Sequence, residues 1–333
     1  MDIRLNLISD WLKNQLNLKI NDLSPASADA SFRRYFRAQT PQGSLIIMDA
    51  PPEKESITGF IEIAQALSSI GVHTPEVKAK DIQQGFLLLE DLGNVTYLEK
   101  LLSNSNNLYS DAIDSLILIQ KGEQQSTLDI PQYDAEKLEQ EMDLFDTWFI
   151  KKHLKLDTDK NMQNSWTDCK THLIDACLKQ PQTWVHRDYH SRNLMVTKTN
   201  SPGIIDFQDM VKGPFTYDLA SIFKDCYIEW SREKQLSWLE EYRLKAQQES
   251  MFDSEPFSPE QLTQWFDLTG LQRHLKVLGI FCRLYYRDGK DQYLNDLPLV
   301  AKYVLETLSL YPQLSSFREH YSDAIKLALT AKQ

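Results

Sequence analysis

The stretch from Trp184 to Asp209 restricts this chain more than any other. Trp184-Val185 and Leu194-Met-Val196 are short apolar runs, and the polar loop His186-Arg-Asp-Tyr-His-Ser-Arg-Asn193 lies between them. A further apolar piece, Gly203-Ile-Ile205, leads into Asp206-Phe-Gln-Asp209. A lone histidine and aspartate often meet in ordinary loops and say little. Here Asp188 stands five residues before Asn193, and Asp206 follows the asparagine by thirteen. The combination of spacing and apolar framing is what carries information.

Phosphoryl transfer from a nucleotide needs a metal ion on the phosphates, a fixed acceptor and a group that takes the acceptor's proton. Magnesium prefers oxygen ligands and keeps several waters, so one carboxylate and one amide oxygen suffice. The His-Arg-Asp-x-x-x-x-Asn spacing therefore assigns Asp188 to the acceptor hydroxyl and its proton. Asn193 and Asp206 become the metal ligands. His186 reads as a structural histidine bonded within the loop. Arg187 either holds a loop carboxylate or is solvated, and neither residue is expected to be catalytic.

With 333 residues, 42% hydrophobic and 25% charged, the chain can build one large domain or two lobes. Its formal net charge of -11 argues against a nucleic-acid partner, which needs a basic surface. A cationic substrate would suit that charge, but so would a surplus for solubility. Cys169, Cys177, Cys226 and Cys282 are scattered without a C-x-x-C pair, so neither zinc nor a disulfide framework is expected. The N-terminus lacks the form of a signal peptide and no run is long enough to span a membrane. A cytoplasmic monomer with no membrane partner is the expectation.

Residues 2–18 read as an amphipathic helix, with Ile3, Leu7, Ile8, Trp11, Leu12 and Leu16 at helical spacing. Strands follow near Leu23, over 32–37 and over 44–48, the last two joined at Pro41-Gln-Gly43 as a hairpin. A helix over 53–70 ends at Gly71, and two more strands occupy 75–80 and 85–89. From residue 95 to 180 the pattern is helical, with the core stripe Leu138, Met142, Phe145, Trp148 and Phe149. Helices resume after the loop region. Ser258-Pro-Glu-Gln261 and Thr269-Gly-Leu-Gln272 both have capping-box form, which predicts two helices there. The fold class is α+β: a small β-rich nucleotide-binding lobe over 1–92, a hinge at Glu90–Gly93, and a large helical lobe over 93–333.

The loop, Asp206 and Gly213-Pro-Phe-Thr-Tyr-Asp-Leu-Ala220 together resemble the aminoglycoside phosphotransferase and choline kinase branch of the protein-kinase-like fold. The resemblance implies a bilobal kinase-like fold, ATP with magnesium, and Asp218 as a structural buttress of the loop. His190 also looks like this branch. Only eleven residues separate Asp206 from Asp218, with no room for an activation loop, so a protein substrate is disfavoured. Glu90-Asp-Leu92 resembles the branch's hinge, whose backbone meets the adenine. Within the branch, Ser31-Phe-Arg-Arg-Tyr-Phe-Arg37, Met48-Asp-Ala-Pro51 and Ile205-Asp-Phe-Gln-Asp209 are similar to bacterial cell-wall kinases. Those enzymes phosphorylate the anomeric hydroxyl of N-acetylmuramate and N-acetylglucosamine in peptidoglycan recycling.

The chain departs from kinase patterns in its small lobe. The phosphate-loop candidate, Ser27–Ser31, has no glycine; Ser31 and backbone N–H groups could still cover phosphates, or the piece is an ordinary turn. Met48 stands where the usual lysine would, so Arg33 or Arg34 is the expected phosphate cation, and strand alternation points at most one of them into the cleft. Glu62 is then a solvated helix residue. On the acceptor side, Asp209 either reaches the substrate or caps its own turn. Tyr227 and Trp230, in a helical-looking mix, are either sugar-binding aromatics or core. Arg283 is the candidate cation for an acceptor carboxylate. An amino-sugar kinase leads the functional readings; antibiotic phosphorylation and a nucleotide-binding pseudokinase scaffold are the alternatives.

Overall fold

The computed structural model describes residues 2–27, 33–254 and 256–330; Ser31 lies outside them. The chain forms two compact units. One comprises residues 1–97, 125–128 and 193–208, and the other comprises 98–124, 129–192 and 209–333. The fold is α+β.

In the first unit, Asp2 caps α1 (Ile3–Asp10) by accepting from the Arg4 and Leu5 N–H groups. The helix runs on as a π-turn, Trp11–Gln15. Ile8, Trp11 and Leu12 pack on Phe36, Ala38, Ile47, Phe86 and Leu88. The expected stripe is narrower than its spacing suggested: Ile3 is 75% exposed. It lies roughly 140° around the helix from Ile8. The sheet is antiparallel in the order β1-β2-β3-β5-β4, with β1 Asp22–Ser27, β2 Arg34–Thr40, β3 Gly43–Asp49, β4 Val77–Asp81 and β5 Phe86–Glu90. The predicted hairpin joins β2 to β3, with Thr40 opposite Gly43. Helix α2 (Thr58–Ser69) starts later than the sequence pattern implied, because Lys54 and Glu55 close a separate turn on the Pro51 carbonyl. A short strand pair, Leu194–Met195 with Gly203–Ile204, completes the unit.

The second unit is mostly helical. Helices α3 (Tyr97–Gln125), α4 (Ala135–Leu144) and α5 (Lys160–Leu178) precede the antiparallel pair β6 (Gln182–Val185) and β7 (Val211–Pro214). After them come α6 (Thr216–Phe223), α7 (Arg232–Gln248), α8 (Pro259–Asp288), α9 (Leu297–Leu310) and α10 (Ser315–Lys326). The core joins Met142, Phe145, Phe149, Trp166 and Leu173 to Leu271, Leu275, Leu278 and Cys282 of α8, and to α9 and α10.

Two helices were expected where α8 is continuous. Ser258 does cap it, accepting from Gln261 N–H, but Thr269 sits buried in mid-helix. Its hydroxyl meets Gln180 Nε2 at 3.1 Å and Thr216 Oγ1 at 3.0 Å. The capping pattern was a buried polar contact in disguise. Gly279 is also a packing residue: a Cβ there would lie 2.3 Å from the Leu144 carbonyl, so only glycine lets α8 run this close to α4. The segment 224–230, expected to be helical, is irregular, since α6 ends at Phe223 and α7 begins at Arg232.

Candidate active site

Strand β6 delivers Val185 directly into the loop, and α6 places Asp218 beneath it. Asp218 is fully buried and accepts the N–H of His186 at 2.6 Å and of Arg187 at 3.0 Å. Burial pushes this carboxyl up to about 7, while the two N–H donors pull the other way. Asp225, also buried, holds the far side of the loop by accepting the N–H of Ser191 at 2.8 Å and of Tyr227 at 3.0 Å. Arg187 takes a left-handed backbone, φ 76°, which a non-glycine residue adopts only under constraint. Its guanidinium is ion-paired to Glu141 and donates to the Asp209 carbonyl at 3.3 Å. The loop is thus clamped at its backbone and at one side chain.

Asp188 sits between these clamps. Burial disfavours its charge, but Lys276, His190, Arg273 and Arg187 outweigh that and hold the carboxyl below its ordinary value. Lys276 itself stays charged in a buried position because it is 3.0 Å from Glu141. His190 donates its backbone N–H to the Asp188 carbonyl at 2.9 Å, and burial holds its ring below its ordinary pKa. His186 is fully buried, its ring edge-on to Tyr189. An ionised, partly exposed carboxylate on a rigid loop is suited to accept a proton.

In the first unit, the strand pair after the loop brings Asn193 and Asp206 together. Ile205 N–H donates to the Asn193 carbonyl at 3.1 Å, and Asn193 Nδ2 lies 3.3 Å from Asp206 Oδ2. Gln208 Nε2 donates to Asp206 Oδ1 at 2.8 Å. Asp206 also has a left-handed backbone, φ 65°, and Phe207 behind it packs on Phe60 of α2, ring centroids 4.7 Å apart. One carboxylate beside two side-chain amides is an all-oxygen donor set once the amides turn their carbonyls inward. It fits a hard cation that keeps part of its water shell. Among the described residues there is no cluster of three or more His, Cys, Asp or Glu that could hold a metal instead.

The model of a phosphotransferase enzyme family matches residues 22–256. The chain belongs to the phosphotransferase enzyme family. It is 41% identical to an N-acetylmuramate/N-acetylglucosamine kinase of Pseudomonas putida, over 96% of each chain. It is likewise 41% identical to the kinase of the same name from Pseudomonas aeruginosa, over 90% of this chain and 87% of that one. Its fold is similar to that of a choline kinase from Streptococcus pneumoniae, with a TM-score of 0.63 at 14% identity over 92% of this chain and 99% of the other.

The remaining candidates of this phosphotransferase fall into two groups. In the first unit, Arg33 is buried and ion-paired to Glu55, while Arg34 spans Asp49, its β3 partner, and Asp2. Glu62 is exposed, as expected. Glu90 closes β5, its N–H donating to the Glu76 carbonyl at 2.9 Å. The piece after it, expected to be a hinge, is held by Arg37, whose Nε is 2.6 Å from Asp91, and Leu92 packs against Gly203. In the second unit, Asp209 is exposed and Tyr227 lies edge-on to His190, 5.2 Å between centroids. Trp230 gives its indole N–H to the Tyr109 hydroxyl at 2.6 Å, within a cluster that includes Trp238. Arg283 is partly buried on α8, and its Nε has no hydrogen-bond partner among the described residues.

Sequence reasoning missed Gln208, Glu141, Arg273 and Lys276, and it gave Asp225 no supporting role. Gln208 had a signal, standing two residues past Asp206. Glu141 and Lys276 had none, since each matters only through a partner far along the chain.

Proposed function

We propose that this phosphotransferase uses ATP and magnesium to phosphorylate the anomeric hydroxyl of N-acetylmuramate and N-acetylglucosamine, in peptidoglycan recycling. The observation that carries the reading is the pair of relatives with that printed name, matched along nearly the whole chain. The retained chemistry agrees with it. Asp188 takes the proton of the acceptor hydroxyl as that oxygen attacks the γ-phosphorus and the bond to the bridging oxygen breaks, releasing ADP. The clamps from Asp218, Asp225 and Glu141 keep its carboxylate oriented. Asn193, Asp206 and Gln208 would hold magnesium, which when bound neutralises charge on the phosphates. Leu92, whose backbone polar groups have no partner among the described residues, is the hinge position for the adenine edge. Of the two arginines, Arg33 is the better phosphate cation, because Arg34 is locked into the β2–β3 pairing by buried Asp49.

The test is ATP consumption over a panel of amino sugars and aminoglycosides, with NMR of the product. The expected product carries phosphate on the anomeric carbon of both N-acetylated sugars. Turnover of kanamycin-like acceptors without turnover of amino sugars would overturn the reading. Nucleotide binding without turnover of any acceptor would favour a scaffold.

A further inference from the structure

N-acetylmuramate and N-acetylglucosamine offer the same anomeric hydroxyl and differ by one lactyl group, which ends in a carboxylate. A cation that only the acid uses would let one site accept both and prefer the acid. Resting on the amino-sugar kinase reading, we infer that Arg192, stacked on Tyr227, holds the carboxylate of the acidic acceptor and sets the preference between the two sugars.

Arg192 belongs to the loop that carries Asp188, four residues on, and its neighbour Ser191 is pinned through its N–H by Asp225. Its guanidinium carbon lies 3.6 Å from the centroid of the Tyr227 ring. That ring is itself fixed, edge-on to His190 and tilted against Phe281. Stacking orients a guanidinium and leaves its in-plane N–H donors available, which is the preorganisation that two-point binding of a carboxylate needs.

Those donors are unspent. Arg192 forms no hydrogen bond among the described residues, and its one charged neighbour, Asp296, is 3.9 Å away, beyond hydrogen-bond range. Its side chain is 41% exposed. Among the other arginines of the unit, Arg187 is committed to Glu141, Arg232 to both oxygens of Asp267, Arg243 to Glu240 and Arg287 to Asp288, while Arg318 is exposed on α10 and stands on no part of the loop. Arg273 is buried against Cys226 Sγ. Arg283 also lacks a partner, but its Nε is buried on α8 and it stands on no part of the loop.

The experiment compares kcat/KM for the two sugars in wild-type protein and in Arg192→Ala, Arg192→Lys and Arg283→Ala. In Arg192→Ala the ratio of acid to neutral sugar should fall about 30-fold, the range of a lost charged hydrogen bond. Arg192→Lys should fall between, since an ammonium keeps the charge but not the fork. Added salt should erode the preference for the acid in wild type and not in Arg192→Ala. An unchanged ratio, whether or not both rates drop, would overturn the inference, as would an acid-specific loss in Arg283→Ala instead. Wild-type protein that phosphorylates neither sugar would remove the kinase reading itself, an outcome separate from any result on the variants.

Discussion

Two buried aspartates, Asp49 in the first unit and Asp218 in the second, are both fully inaccessible and are used in opposite ways. Asp49 is surrounded by side chains: Arg4 Nε at 2.6 Å and Arg34 Nε at 2.9 Å, tying α1 and β2 to the end of β3. Asp218 is surrounded by backbone, the N–H groups of His186 and Arg187. A carboxylate bound by guanidinium groups is a clamp between elements. One bound by peptide N–H groups dictates a backbone conformation, here the strained turn that carries Asp188. The first kind of buried charge should govern stability and the second should govern rate.

The comparison depends first on Asp188 being what the Asp218 clamp serves. Asp188→Ala should lower turnover by about 10³-fold or more with nucleotide affinity nearly unchanged, measured by steady-state kinetics and calorimetry. Near-normal turnover would strip Asp188 of its role. Asp218→Asn should cost about 100-fold in kcat, because an amide can accept at only one of its two ends and the turn shifts. A loss confined to thermal stability would merge the two aspartates into one class.

Lys276 sharpens the contrast through pH. Asp188 is held below its ordinary pKa, so its ionised form persists until pH falls below the usual carboxylate range, and activity and the stability it contributes are lost only there. Lys276→Met removes one cation that keeps it ionised. The acid limb of the kcat/KM profile should move to higher pH, with the plateau reduced far less. An unmoved limb would mean that Lys276 only braces Glu141. The smallest effect on rate is expected at Asp49. Asp49→Asn should destabilise by about 2 kcal/mol, discounted because Arg4 and Arg34 are partly exposed, and leave kcat within about twofold. Thermal denaturation and kinetics on the same sample decide this.

The two aspartates also differ in how readable they were. Asp218 was legible because Gly213–Ala220 follows Asp206 closely and matches a family pattern. Asp49 was not singled out, since nothing in Met48-Asp-Ala-Pro51 reveals that two arginines from other elements converge on it. The same logic covers the rest. Asp188, Asn193 and Asp206 are candidates through their local spacing, which residue order carries. Glu141 and Lys276 reach the loop from α4 and α8, whose packing depends on Gly279 and Leu144, and no local pattern encodes that meeting. Thr269-Gly-Leu-Gln272 misled because a capping box and a buried threonine with a close-packed glycine share their letters. Lys224–Trp230 misled because two of its polar members, Lys224 on Asp267 and Asp225 on the Ser191 N–H, answer to partners outside the segment.

The strand Val211–Pro214, zipped residue by residue to Gln182–Val185, occupies the stretch between Asp206 and α6. Many kinases use that place as a gate, opened by a modification on a long excursion of chain. Here the stretch is stitched into the scaffold, with Lys212 tied to Glu123 and its neighbours inside the fold. Throttling the enzyme at this point would mean unravelling the base of its own loop. Control exerted at that place would have to act on a paired strand rather than on a loose excursion of chain.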